Sequence, residues 1–142
     1  MKDLKFLQDL WTSPIPLRDY WKMKNDDIPA SPGVYILLST PSIRFQYPRG
    51  KSPIFYIGKA ANLRRRLHEH LKYSLEAIKE KDRKREWYWP RYEFAASFGG
   101  RYTFIHTWQG MNPKELENMI LRRFAVYYRS FPVANGAGSW PK

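Results

Sequence analysis

The run Ile54-Phe55-Tyr56-Ile57-Gly58-Lys59-Ala60-Ala61-Asn62-Leu63-Arg64-Arg65-Arg66-Leu67 changes period in its middle, and that change decides the reading of the chain. Ile54 to Gly58 is β-branched and aromatic, which suits a buried strand. After Gly58 the leucines at 63, 67, 71 and 75 recur every four residues, marking one face of a helix that is entered through the capping residue Asn62 and reaches about Glu80. Backwards from this unit, the turn chemistry of Pro29-Ala30-Ser31-Pro32-Gly33 launches a first strand, Val34 to Leu38. Ser39 to Pro53, with three prolines and a glycine, reads as a loop longer than a hairpin needs.

Forwards, Lys81 to Tyr92 interleaves charge with Trp87, Tyr88 and Trp89, and Pro90 ends the helix at the latest. Glu93 to Arg101 reads as weak strand or loop, and Tyr102 to Trp108 as a third strand. A second helix opens at Asn112-Pro113-Lys114-Glu115, with Asn as N-cap, Pro at the first helical position and Glu three residues after the cap. Leu116, Ile120, Phe124 and Tyr127 continue it, and Phe131 to Lys142 is irregular. The expected fold is α/β: a small, mainly antiparallel sheet of three strands carrying the Leu63 and Leu116 helices. Residues 1–28, apolar and aromatic but interrupted by Pro14 and Pro16, are expected to form a helical arm ahead of the main domain at 29–142.

The 142 residues suit one ordinary domain. No cysteine is present, which excludes a disulfide framework, a thiolate zinc site and a cysteine nucleophile. No apolar run approaches the roughly 20 residues of a membrane span, and the start lacks a signal-peptide core, so a cytoplasmic protein is expected. Lysine and arginine exceed the acids by 25 − 13 = 12, a charge that calls for a polyanionic partner. Nucleic acid suits it better than a membrane surface, because aromatics at 17% of the chain supply stacking surfaces and no clean lipid-facing helix is seen.

Gly33-Val34-Tyr35 on the first strand and Tyr56-Ile57-Gly58 on the second resemble the two tripeptides that name the GIY-YIG nuclease family. The run from Tyr56 to Leu67 is similar to the nuclease module of bacterial nucleotide excision repair, with the family's arginine at Arg66 and its Tyr-or-His position at His70. Leu116-Glu117-Asn118-Met119-Ile120 resembles the metal-binding glutamate helix, and Pro132-Val133-Ala134-Asn135 the closing Pro-x-x-Asn. The resemblance spans about residues 32 to 135; its gap between the tripeptides and its helix before Asn135 are longer than usual. It implies a nuclease domain over 29–142 that hydrolyses phosphodiester bonds in DNA with Mg²⁺ or Mn²⁺ held by Glu117. It also implies Tyr35 as general base or water positioner, Tyr56 as phosphate positioner or aid to proton transfer, and Asn135 as an orienting hydrogen-bond partner.

The residue chemistry bears on the same set. An arginine donates two parallel hydrogen bonds to phosphate, and Arg66 and His70, four apart, share a helical face beside the leucine stripe, where both can point along the sheet edge. His70 could be proton shuttle or phosphate donor. Glu117 shares a face with Ile120, Leu121, Phe124 and Tyr128, where an unpaired carboxylate is unusual, whereas Glu115 is explained by capping. A phenol titrates near 10, so Tyr35 needs a cation, with Lys59 and the metal as candidates.

Duller explanations exist for each residue. Tyr35 and Tyr56 could be core aromatics, Arg64 to Arg66 a solvated helix face, and Glu117 a snorkelling acid or a partner of Arg65 or another cation. His106 reads as a strand residue, and Met23, Met111 and Met119 as packing. The basic, aromatic tract Lys79 to Tyr92 could grip DNA or be a solvated helix end. The rival functions are a catalytically inert DNA-binding module and a nuclease acting on RNA or branched DNA. With one site per chain, a homodimer is expected only if both strands are cut.

Overall fold

The computed structural model describes residues 15–16, 28–79, 90–106 and 112–135. The elements are strands β1 (Ile15–Pro16), β2 (Gly33–Leu38), β3 (Phe45–Tyr47), β4 (Gly50–Ser52) and β5 (Ile54–Ala60), helices α1 (Leu63–Lys79) and α2 (Pro90–Phe98), strand β6 (Arg101–His106) and helix α3 (Pro113–Tyr128). The fold is mixed α/β. Its sheet is antiparallel, with β2 between β5 and β6 and the two-residue β1 on the outer side of β6. Apart from Ile15 and Pro16, the helical arm expected over 1–28 lies outside the described residues until Ile28, which is buried in the core.

Every residue of β2 is buried, as an apolar strand covered on both faces must be. Val34, Ile36 and Leu38 pack with Leu116, Ile120, Leu121, Phe124 and Tyr128 of α3. Tyr35 and Leu37 turn the other way, toward Leu63, Leu67 and Leu71 of α1 and Ala95 of α2. A register shift pairs Leu37 with Tyr56 but Leu38 with Ile54, leaving Phe55 as the extra residue. Such a bulge breaks the two-residue alternation, so Phe55 and Tyr56 both join the α1 side.

Several expectations change. The stripe on α1 does not reach Leu75, which is 39% exposed. Each four-residue step overshoots a helical turn by about 40°, so by Leu75 the row has drifted about 120° from Leu63. The buried face passes instead through His70, Leu71 and Ser74. Residues 93–98, expected as strand or loop, are helical, because Pro90 starts α2 rather than only ending what precedes it. In a first turn the missing N–H of proline costs nothing. The 39–53 loop carries the β3–β4 hairpin, anchored where the Tyr47 hydroxyl donates to the Ile54 carbonyl (2.7 Å) and accepts from the Val133 N–H (3.1 Å). The start of α3 is as expected, with the Asn112 side chain accepting from the Glu115 N–H at 2.8 Å.

The sheet ends on β5, whose outer edge would otherwise expose or bury unpaired backbone groups. The C-terminal segment closes it. The Ala134 N–H donates to the Phe55 carbonyl at 2.8 Å. The Ile57 N–H donates to Asn135 Oδ1 at 3.1 Å, and Asn135 Nδ2 donates to the Ile57 carbonyl at 2.9 Å. A side-chain amide thus imitates a strand partner. Replacing it by an apolar residue of similar size, Asn135→Leu, should leave both Ile57 groups unpaired and destabilise the fold by about 1–3 kcal/mol for each, measured by urea unfolding.

Candidate active site

Tyr35 from β2, Tyr56 from β5 and His70 from α1 meet on the α1 side of the sheet. Tyr35 lies opposite Gly58, and the absence of a side chain there lets its ring lie diagonally toward Tyr56, with centroids 5.9 Å apart. A Cβ at Gly58 would fall 2.5 Å from the Tyr35 ring and hydroxyl and 2.7 Å from the Tyr56 ring. His70 sits edge-on to Tyr35 at 4.9 Å, and its Nε2 is 2.9 Å from the Tyr35 hydroxyl. That hydroxyl also hydrogen-bonds Tyr56. All three residues are buried, His70 completely.

The sequence places His70 beside the leucine stripe, on a face shared with Arg66 that points along the sheet edge, and His70 does meet Tyr35 there. It is part of the buried face rather than beside it, because the drift of the leucine row brings position 70 under the sheet. Burial, then the charges of Arg91 and Arg66, holds its imidazole well below its ordinary value, so the ring is neutral at physiological pH. Burial pushes the Tyr35 phenol well above its usual range, as does neighbouring Tyr56, with Arg91 and Arg66 opposing them.

Arg91, in the first turn of α2, is the residue that sequence reasoning missed. Its Nη1 donates to the Tyr56 hydroxyl, and its guanidinium lies 5.1 Å from the ring centres of both Tyr56 and Tyr92. Burial opposes its charge, but the oxygens of Tyr56, Tyr35 and Tyr92 outweigh that and favour the charged form. Tyr92 is also buried, its ring 5.1 Å from that of His70. The signal available beforehand was Arg91-Tyr92 directly after a proline that can start a helix.

Lys59 was expected to act on Tyr35 and does not stand beside it. Strand alternation turns Lys59, next to Gly58, to the opposite face, where it is exposed. There it meets Glu117, whose carboxylate is half-buried and raised by that burial, with the Lys59 charge, the Lys59 backbone N–H and Lys114 pulling it back. Arg66 is half-exposed at the border of the tyrosine cluster and lies 3.9 Å from Glu69, while Arg65 pairs with Glu69 at 3.8 Å rather than with Glu117. Asn135 reaches the site through the backbone of Ile57, between Tyr56 and Gly58. The structure thus gathers Tyr35, Tyr56 and His70 with Arg91 and borders them with Arg66. Glu117 and Lys59 meet β5 from the other side of the sheet.

Among the described residues no group of three His, Asp or Glu side chains is placed to hold a metal. Glu117 offers one carboxylate, which fits an ion such as Mg²⁺ that keeps most of its waters. No helix among the described residues is long and apolar enough to cross a membrane. Comparison with family models, with curated proteins and with solved structures returns no match to the chain.

Gly58→Ala should destabilise the fold by about 1–3 kcal/mol through overpacking against the two tyrosine rings, read by thermal unfolding. A pH dependence follows from His70. Its folded pKa lies well below 6.5 and its unfolded one near 6.5, so between the two the unfolded chain binds the extra proton. Stability is therefore full above that window and falls as pH drops through it, by at most about 1.4 kcal/mol per pH unit. Urea titrations at about pH 7.5 and about pH 5.5 should show this loss in the wild type and a flatter profile in His70→Gln.

Proposed function

We propose that the chain is a divalent-metal-dependent endonuclease of the GIY-YIG type that hydrolyses phosphodiester bonds in DNA. The observation that carries the reading is the meeting of Tyr35, Tyr56 and His70, widely separated in sequence, in one hydrogen-bonded cluster beside Arg91 and Arg66. The net charge of +12 supports a nucleic-acid substrate.

The residue roles follow from the environments. A free phenolate at Tyr35 is disfavoured by burial, so Tyr35 works as a neutral relay: its oxygen takes the proton of the attacking water while its own proton passes to Nε2 of neutral His70. Tyr56, held by Arg91, positions the phosphate, and Arg66 at the border donates to phosphate oxygens and stabilises the charge of the transition state. Lys59 adds a surface contact to the DNA backbone, and Asn135 fixes the strand that carries Tyr56. A metal ion bound at Glu117 would supply Lewis-acid polarisation of the phosphoryl oxygen. The binding-only reading draws on one observation, the burial of Tyr35 and His70, and metal-dependent cutting separates the two.

Supercoiled plasmid should be nicked in Mg²⁺ and stay intact in chelator, with cutting lost in Glu117→Ala. Tyr35→Phe should lower turnover by about 10²–10⁴-fold with DNA affinity unchanged. Intact plasmid that is nevertheless bound by the wild type, with RNA and branched DNA also uncut, would establish the inert module instead.

A further inference from the structure

Two buried polar atoms lie next to the tyrosine cluster and take no part in the interactions described so far. His70 Nδ1 and Ser74 Oγ have no hydrogen-bond partner among the described residues, and both side chains are almost wholly enclosed, Ser74 at 5% exposure. They are one turn apart on the same face of α1. Helical side chains lean toward the N-terminus, so the Ser74 hydroxyl leans back over the turn that carries His70. Two adjacent orphans in an apolar layer each cost free energy that a shared hydrogen bond removes.

The other end of the cluster sets a direction. A guanidinium only donates, so Arg91 makes the Tyr56 oxygen an acceptor. The Tyr56 proton is then free for the Tyr35 oxygen, which leaves the Tyr35 proton for His70 Nε2, 2.9 Å away. A neutral imidazole that accepts at Nε2 carries its proton on Nδ1. The geometry points to Ser74 as a positioning residue: its hydroxyl accepts from His70 Nδ1–H, directly or through one enclosed water, and holds the ring in the tautomer whose Nε2 faces Tyr35. Arg91, Tyr56, Tyr35, His70 and Ser74 then form one polarised chain of hydrogen bonds, each step strengthening the next. The tautomer assignment does not depend on the nuclease reading above; its use in turnover does.

Nitrogen NMR of protein labelled at histidine reads the tautomer without reference to activity, with His70 assigned by loss of its signals in His70→Gln. The wild type should show a protonated Nδ1 and a bare Nε2 at His70 near neutral pH. Ser74→Ala should mix in the other tautomer, and Ser74→Thr, which restores a hydroxyl, should return the wild-type pattern. Protonated Nε2 in the wild type, or a Ser74→Ala spectrum unchanged at His70, overturns the inference. If Ser74→Ala does not fold, the wild-type tautomer still decides. In plasmid cutting, Ser74→Ala should lower kcat by about 10- to 100-fold at unchanged KM, with Ser74→Thr near wild type. A wild type that cuts nothing refutes the nuclease reading and leaves the tautomer assignment to the NMR result.

Discussion

The hydroxyl of Tyr35 is the polar atom around which the rest of the structure is arranged. It sits on a central strand covered on both faces, where a phenol without a partner would be costly, and the Nε2 of a fully buried histidine answers it at 2.9 Å. That bond links the central strand to α1. Gly58 has to be side-chain-free to admit the ring, and Tyr56, two residues before Gly58, shares its face by strand alternation, while the bulge adds Phe55 to the same side. The edge strand bearing both residues is held by Asn135 from the far end of the described chain. One buried hydroxyl therefore draws on a strand register, a helix face and a C-terminal clasp.

The same burial shapes the chemistry. Low polarity around the cluster keeps Tyr35 protonated and His70 neutral, while the positive charges of Arg91 and Arg66 reinforce the neutral histidine and oppose the neutral tyrosine. In the proposed relay Tyr35 regains from water the proton it gives up, so the phenol stays neutral and His70 carries the proton as imidazolium. Glu117 lies across the sheet, beside Lys59, so the carboxylate and the tyrosine–histidine cluster approach β5 from opposite faces. The edge strand is where any group acting with both would have to lie.

Much of the fold was legible because the signals were local. Val34 to Leu38 and Ile54 to Gly58 announced buried strands by side-chain type, and Asn112-Pro113 announced a helix start by capping geometry. The misses have local causes too. A four-residue leucine spacing was read as a straight stripe although it drifts around the helix, which exposed Leu75 and buried His70 and Ser74. Pro90 was read as a stop although proline also suits a first helical turn, and that hid α2 and with it Arg91. The placement of Lys59 followed from strand alternation beside Gly58 and was open to a stricter reading of the sequence.

By itself the sequence determined which segments are apolar on one or both faces, where the long helices are capped, the excess of positive charge and the order of tyrosines, arginine, histidine, glutamate and asparagine along the chain. These are properties of neighbouring residues, governed by periods of two and 3.6 and by side-chain chemistry. Only the tertiary structure decided that Tyr35, Tyr56, His70 and Arg91 share one buried layer, that Glu117 of α3 meets Lys59, and that Asn135 completes the edge of β5. Those facts depend on strand register and on the packing of the three helices against the sheet and each other. Each joins residues far apart in the chain, and none leaves a periodic mark along it.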